Sequence, residues 1–155
     1  MTKTIRRRRK SAKTDYKARL ALLKSEKPRL VIRKTNRYII AQLVESEIAQ
    51  DKTIVKATSK ELLVKGWPKE KQGSLKSIPA AYLTGYLLVK KLKKQPKEVI
   101  LDIGMHRNVH GARIFAALKG SVDAGLNIPH NPESFPPEEK LKSDKISVEE
   151  IKNKL

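Results

Sequence analysis

Cysteine is absent from these 155 residues. Disulfides and thiolate metal ligands are therefore excluded, and an intracellular setting is the natural expectation. Aromatic residues are scarce, with one tryptophan, four tyrosines and two phenylalanines. So few rings make a poor platform for stacking many single-stranded bases. No long apolar run occurs. The longest, Ala80 to Val89, is about half of the roughly 20 residues needed to span a bilayer, so no membrane partner is expected. The N-terminus is basic but leads into no apolar stretch, and so does not read as a secretory signal. Acidic residues are also in short supply. Lys and Arg number 35 against 16 Asp and Glu, giving a net charge of +19 and a pI near 10.2. A surface this basic favours phosphate backbones, because binding them releases condensed counterions.

The charge is unevenly spread. Residues 1–20 hold nine cations against Asp15 alone, and four of the ten arginines stand in the run Arg6, Arg7, Arg8, Arg9, followed by Lys10. Like charges in series repel one another and cannot form a core, so such a run suits a polyanion. Arginine forks also grip phosphate bidentately, which lysine does not. Lys13 and Arg19 extend the same basic stretch. The alternative for this stretch is a solvated tail or an import signal. Residues 131–155 differ, with six acids against five lysines. The chain therefore divides into a basic arm over 1–12, a globular domain over 13–130 and a Pro-rich, charged tail over 131–155.

The spacing predicts a helix over Thr14–Lys24, capped by Thr14, with Tyr16, Leu20 and Leu23 on one sticky face. Arg29–Lys34, Tyr38–Glu45 and Asp51–Thr58 read as strands, and the short polar links between them imply an antiparallel meander. A helix over Ser77–Gln95 follows, with Pro79 in its first turn and Ile78, Tyr82, Gly85, Tyr86, Val89 and Leu92 sharing a face. Glu98–Ile103 is then a strand expected to join the sheet in parallel. Gly111–Ala124 is a second long helix with Ile114, Ala117, Leu118, Ser121 and Val122 inward. A last helix is expected at Ser147–Leu155. The fold class is α/β (α+β), a mixed four-stranded sheet packed by helices.

Candidate contacts to phosphate are the arm, the hairpin tip (Arg33, Lys34, Asn36 and Arg37) and the loop Gly104–Gly111. That loop follows a strand and opens a helix, so Arg107, His110 and Arg113 sit where anions are attracted. It lacks the endings of both nucleotide-binding glycine loops, and a plain connecting loop is an equal alternative. Trp67 is either a base-stacking platform or, more in keeping with its size, an anchor filling a notch. His106 and His110 are four apart, a weak metal signal. Glu45, Glu98, Asp102 and Asp123 are a set from which a metal-dependent nuclease could in principle be assembled, but their spacing predicts no convergence and most read more simply as surface ion-pair partners. No catalytic residues, cofactor or small-molecule substrate are expected. A nuclease and a chromatin-type DNA binder stand as the alternatives to an RNA-binding protein.

Two stretches carry a resemblance. Arg29 to Gln42 (RLVIRKTNRYIIAQ), and Asp102-Ile103-Gly104 together with His110 to His130 (HGARIFAALKGSVDAGLNIPH), resemble the L eighteen family of large-subunit ribosomal proteins. The likeness runs in order over residues 5–137. The loop through Trp67 and the segment Asn131–Pro137 resemble the archaeal form, while residues 138–155 match no pattern of the family. The resemblance implies a non-catalytic protein of the cytoplasmic ribosome, seated on 5S rRNA in the central protuberance, with its arm reaching large-subunit rRNA and with ribosomal proteins as neighbours. Its implied contacts are Arg6 to Lys10 and Lys13, then Arg33, Lys34, Asn36 and Arg37, then Arg107, His110 and Arg113.

Overall fold

The computed structural model describes residues 5–48, 50–141 and 148–155. Its centre is a four-stranded sheet in the order β3-β2-β1-β4. The strands are β1 (Arg29–Lys34), β2 (Ile39–Glu47), β3 (Gln50–Thr58) and β4 (Ile100–Asp102). β1, β2 and β3 form the antiparallel meander, and β4 pairs in parallel with β1, as the sequence predicts. β4 is shorter than its apolar run, because only Arg29 to Val31 of β1 lie opposite it.

Alternation along the strands sorts the two faces of the sheet. Leu30 and Ile32 of β1 stand opposite Leu43 and Ala41 of β2, and all four are fully buried. This face is covered by α3 (Ile78–Lys90) and α4 (Arg113–Asp123). α3 starts where Ser77 Oγ accepts from the Ala80 N–H, with Pro79 in the first turn. It ends at Lys90, short of the expected Gln95. Lys90, Lys91, Lys93 and Lys94 would crowd one more turn with like charge, and Lys91 instead pairs with Glu61.

α3 and α4 meet through glycine. A Cβ at Gly120 would fall 2.0 Å from Tyr82 O, and one at Gly85 would fall 1.9 Å from Ala117 O. The two backbones touch at this crossing, and no side chain fits between them. Gly120→Ala gains about 1 kcal/mol of helix propensity but forces the helices apart, an overpacking penalty of about 3 kcal/mol. A net loss of about 2 kcal/mol is expected in urea unfolding. Unchanged stability would mean that the crossing relaxes freely.

The opposite face carries Arg29, Val31 and Arg33, with Asp102 beside Val31 on β4. Over it lies α2 (Tyr16–Leu23). Here the sequence reading is corrected twice. Asp15, not Thr14, is the cap, its carboxylate accepting from the N–H groups of Lys17 and Ala18. Nor is the predicted sticky face fully covered. Tyr16 and Leu23 are half-buried, but Leu20 is 56% exposed, and Ala18, Ala21 and Leu22 line the cleft toward β4.

The segment from residue 131, expected as a separate tail, lies against the core over its described part. Gly111 N–H donates to Ser134 O, and the rings of His130 and Phe135 pack 4.8 Å apart. α5 (Glu138–Leu141) and α6 (Val148–Asn153) rest on α3, burying Leu141 and Ile151. Residues 142–147, including the expected helix start at Ser147, lie outside the described residues.

Candidate nucleic-acid interface

The arm forms α1 (Arg7–Lys10), a single turn with no buried residue and no acid in it. It folds back toward α2, with the Arg6 guanidinium 4.8 Å from the centre of the Tyr16 ring and Arg8 Nε–H donating to Thr14 Oγ1 at 2.9 Å. These exposed contacts orient the arm but leave its cations available. Arg8, Lys13, Arg19 and Arg33 converge on one cleft of about 570 Å³ between α2 and β4.

Beneath this cleft lies a charge network that sequence reading missed. Arg29 is only 2% exposed. Its guanidinium donates to Asp102 Oδ2 at 2.9 Å, to Asp51 Oδ1 at 2.7 Å and to Ser46 Oγ at 2.9 Å. Burial alone would raise the Asp51 carboxyl. The Ser46 hydroxyl, Arg19 and Arg29 together outweigh it and hold the group below the ordinary carboxylate range. Arg19 completes the set at 2.8 Å from Asp51, so part of its charge serves the fold.

Asp102 is the hub. Besides Arg29, its carboxylate accepts from Arg33 at 2.8 Å and from the Gly104 N–H at 2.9 Å. Arg33 also donates to the carbonyls of Ile32 and Asp102. The Arg33 guanidinium is thus a strut between β1 and β4, leaving little of its fork for phosphate. Gly104 has φ +60°, and a Cβ there would sit 2.8 Å from Arg33 Cζ, so the loop closes over the strut only as glycine.

His106 extends this latch. Its Nε2 accepts the Lys34 backbone N–H at 3.1 Å, which requires a neutral imidazole. Burial first, then the cations Lys34 and Arg33, hold its pKa below the ordinary imidazole range. A histidine with a lowered folded pKa contributes stability above its unfolded value and loses it as pH falls through the folded one. Stability is therefore expected to decline as pH drops below about 6.5. His106→Gln should remove this part of the decline, as measured by urea midpoints at pH 7.5 and pH 5.5. An unchanged decline would place the titrating group elsewhere.

The hairpin tip leaves Lys34, Asn36 and Arg37 exposed. Asn36 and Arg37 line a groove with Gln72, Gly73 and Lys76. Arg113 reaches the same region, donating to Lys76 O at 3.2 Å. Arg107 and His110 lie exposed on the preceding loop, which His106 ties to the Lys34 backbone.

Trp67 is 2% exposed, and its Nε1–H donates to Lys71 O at 3.1 Å. It is a loop anchor, and the stacking role is corrected: no face of the indole is open to a base.

The acids offered for a nuclease are dispersed. Asp102 is engaged as above, Glu98 pairs with Lys27, and Asp123 accepts from the Tyr82 hydroxyl. Burial, and then that carboxylate, raise the Tyr82 pKa above the ordinary phenol range. Among the described residues no three His, Asp or Glu side chains group in a way that would hold a metal ion. Among the described residues no helix is long and apolar enough to cross a membrane.

An α+β body with a mixed sheet, a cationic arm and, among the described residues, no acids grouped to hold a metal suits a scaffold that binds a polyanion. The family described as "Ribosomal large subunit proteins 60S L5, and 50S L18" matches residues 2–97 and 89–131. Large ribosomal subunit protein uL18 of Korarchaeum cryptofilum is 51% identical over 142 residues, spanning 91% of this chain and 71% of that protein. Its counterpart in Methanospirillum hungatei is 50% identical, spanning 91% of this chain and 79% of that protein. That of Methanoculleus marisnigri is 53% identical with the same coverage. The chain belongs to this family of large-subunit ribosomal proteins and is like its archaeal members. It is a structural, non-enzymatic component of the cytoplasmic ribosome, with ribosomal RNA and ribosomal proteins as its partners.

Proposed function

We propose that this protein binds 5S rRNA and helps attach it to large-subunit rRNA in the central protuberance. The observation that carries the reading is the arm: Arg7, Arg8, Arg9 and Lys10 form one exposed turn with no acid beside them, folded back over α2. Residues 1–12 act as the RNA-binding arm and residues 13–130 as the domain that seats the RNA. Lys34, Asn36 and Arg37 at the hairpin tip, and Arg107, His110 and Arg113 at the entry to α4, supply further contacts. Arg8, Lys13 and Arg19 work from the cleft, where Arg33 sets the shape of its wall. Distributed cations on a rigid body suit structured RNA, which is recognised through phosphates, 2′-hydroxyls and shape.

Filter binding tests this reading. Affinity for 5S rRNA should exceed that for an unrelated RNA of equal length, and log K should fall with log salt at a slope of about −8 for ten or so phosphate contacts. Equal affinity for both RNAs would refute it, and equal affinity for duplex DNA would favour a general polyanion binder.

A further inference from the structure

The groove beside the hairpin turn differs in kind from the purely cationic arm. It has a volume of about 330 Å³ and is lined by Asn36, Arg37, Tyr38, Gln72, Gly73 and Lys76, none of them acidic. That volume is at the small end of the roughly 300–1,000 Å³ typical of ligand pockets. Both walls are fixed. Thr35 ties off the turn, its N–H and hydroxyl donating to Tyr38 O at 2.9 and 2.8 Å while its Oγ1 accepts from the Tyr38 N–H. The other wall has no regular strand or long helix, yet it is pinned by the buried side chains of Trp67 and Leu75 and by Ser74 Oγ donating to Lys71 O. Gly73 is exposed and a Cβ there would meet nothing within 4 Å, so the groove is open to an approaching group at this point.

We propose that this groove receives one unpaired nucleotide of the bound RNA. Arg37 and Lys76 would hold its phosphate, and the carboxamides of Asn36 and Gln72 would meet the edge of its base. The inference rests on the RNA-binding reading above. The chemistry is specific to a base with its phosphate. Each carboxamide offers both a donor and an acceptor, the combination that reads base edges. The two cations answer the backbone, and Arg113, tied to Lys76 O, adds a third at the rim. Tyr38 is half-buried and offers a ring against which a base can rest. A paired stem keeps its base edges within the duplex, whereas a splayed nucleotide presents them to such a groove.

The test uses the full chain and 5S rRNA. Gly73→Leu projects a bulky side chain from the open lining, and a benzophenone side chain placed at position 72 reports the neighbour. Gly73→Leu should weaken binding about tenfold with the thermal midpoint and the salt slope unchanged, because a base contact and no phosphate contact is lost. Lys76→Ala should instead reduce the slope by about one. The cross-link should map to an unpaired nucleotide. Wild-type affinity for Gly73→Leu, or a cross-link to a base-paired stem or to a neighbouring protein in reconstituted subunits, overturns the groove assignment alone. Wild-type protein that fails to select 5S rRNA overturns the functional reading, and this inference with it.

Discussion

Asp102→Ala is expected to remove about 3 kcal/mol of folding stability, measured by urea unfolding at neutral pH. The size follows from what the carboxylate leaves behind. Breaking a buried ion pair from one side strands the other charge, at a cost of about 3–5 kcal/mol. Arg29 would remain 2% exposed, although Asp51 and Ser46 still take part of its fork, which sets the estimate at the lower end. By contrast the Lys27–Glu98 pair has both side chains about two-fifths exposed, and such pairs contribute less than about 1 kcal/mol. The double variant Arg29→Met/Asp102→Leu should recover most of the loss, since an apolar pair of similar bulk leaves no buried charge alone. A single-variant loss below about 1 kcal/mol would mean that water reaches the guanidinium. Asp102→Ala also frees Arg33 and the Gly104 N–H, so RNA binding at the hairpin should weaken even at temperatures where the protein stays folded.

Deleting residues 1–12 is expected to do the reverse. Affinity for 5S rRNA should fall about 100-fold near physiological salt, and the salt slope should flatten by about 4 as five phosphate contacts are lost. The thermal midpoint should scarcely move. α1 buries nothing, and the contacts of Arg6 with Tyr16 and of Arg8 with Thr14 are exposed, each contributing about 1 kcal/mol or less. Filter binding over a salt series with a parallel thermal melt separates the two effects. A large drop in melting temperature would show that the arm is part of the packed body, and an unchanged slope would remove it from the phosphate contacts.

The contrast between these variants marks what could be read from the chain. The meander and the parallel fourth strand were legible because Arg29–Lys34, Tyr38–Glu45 and Glu98–Ile103 are apolar runs between turn residues, a local signal. The arm was legible for the same reason, as an uninterrupted block of like charge. Arg29 was not. A cation opening a strand reads as surface, and its partner Asp102 is 73 residues away, so only the register of β1 against β4 brings them together. Arg33 stands in the same position: its charge was visible, but its engagement by Asp102 was not. α2 was only half legible: Tyr16, Leu20 and Leu23 at i, i+4, i+7 suggest one buried face, yet Leu20 stays 56% exposed and an open cleft separates the helix from β4. Gly120 was silent in the sequence, since a helical glycine says nothing of what crosses it. Trp67 resolved toward packing, as its size favoured, and Asn36 and Arg37 gained a partner wall that no pattern in the sequence announces.

The seating of α6 on α3 has a consequence during synthesis. The flank of α3 beneath Leu141 and Ile151 stays bare until residues far downstream have been made, whereas the cationic arm precedes the whole core in chain order. A nascent chain of this kind presents its polyanion-seeking segment before its own interior can be sealed. α5 and α6 then complete the body by covering that flank.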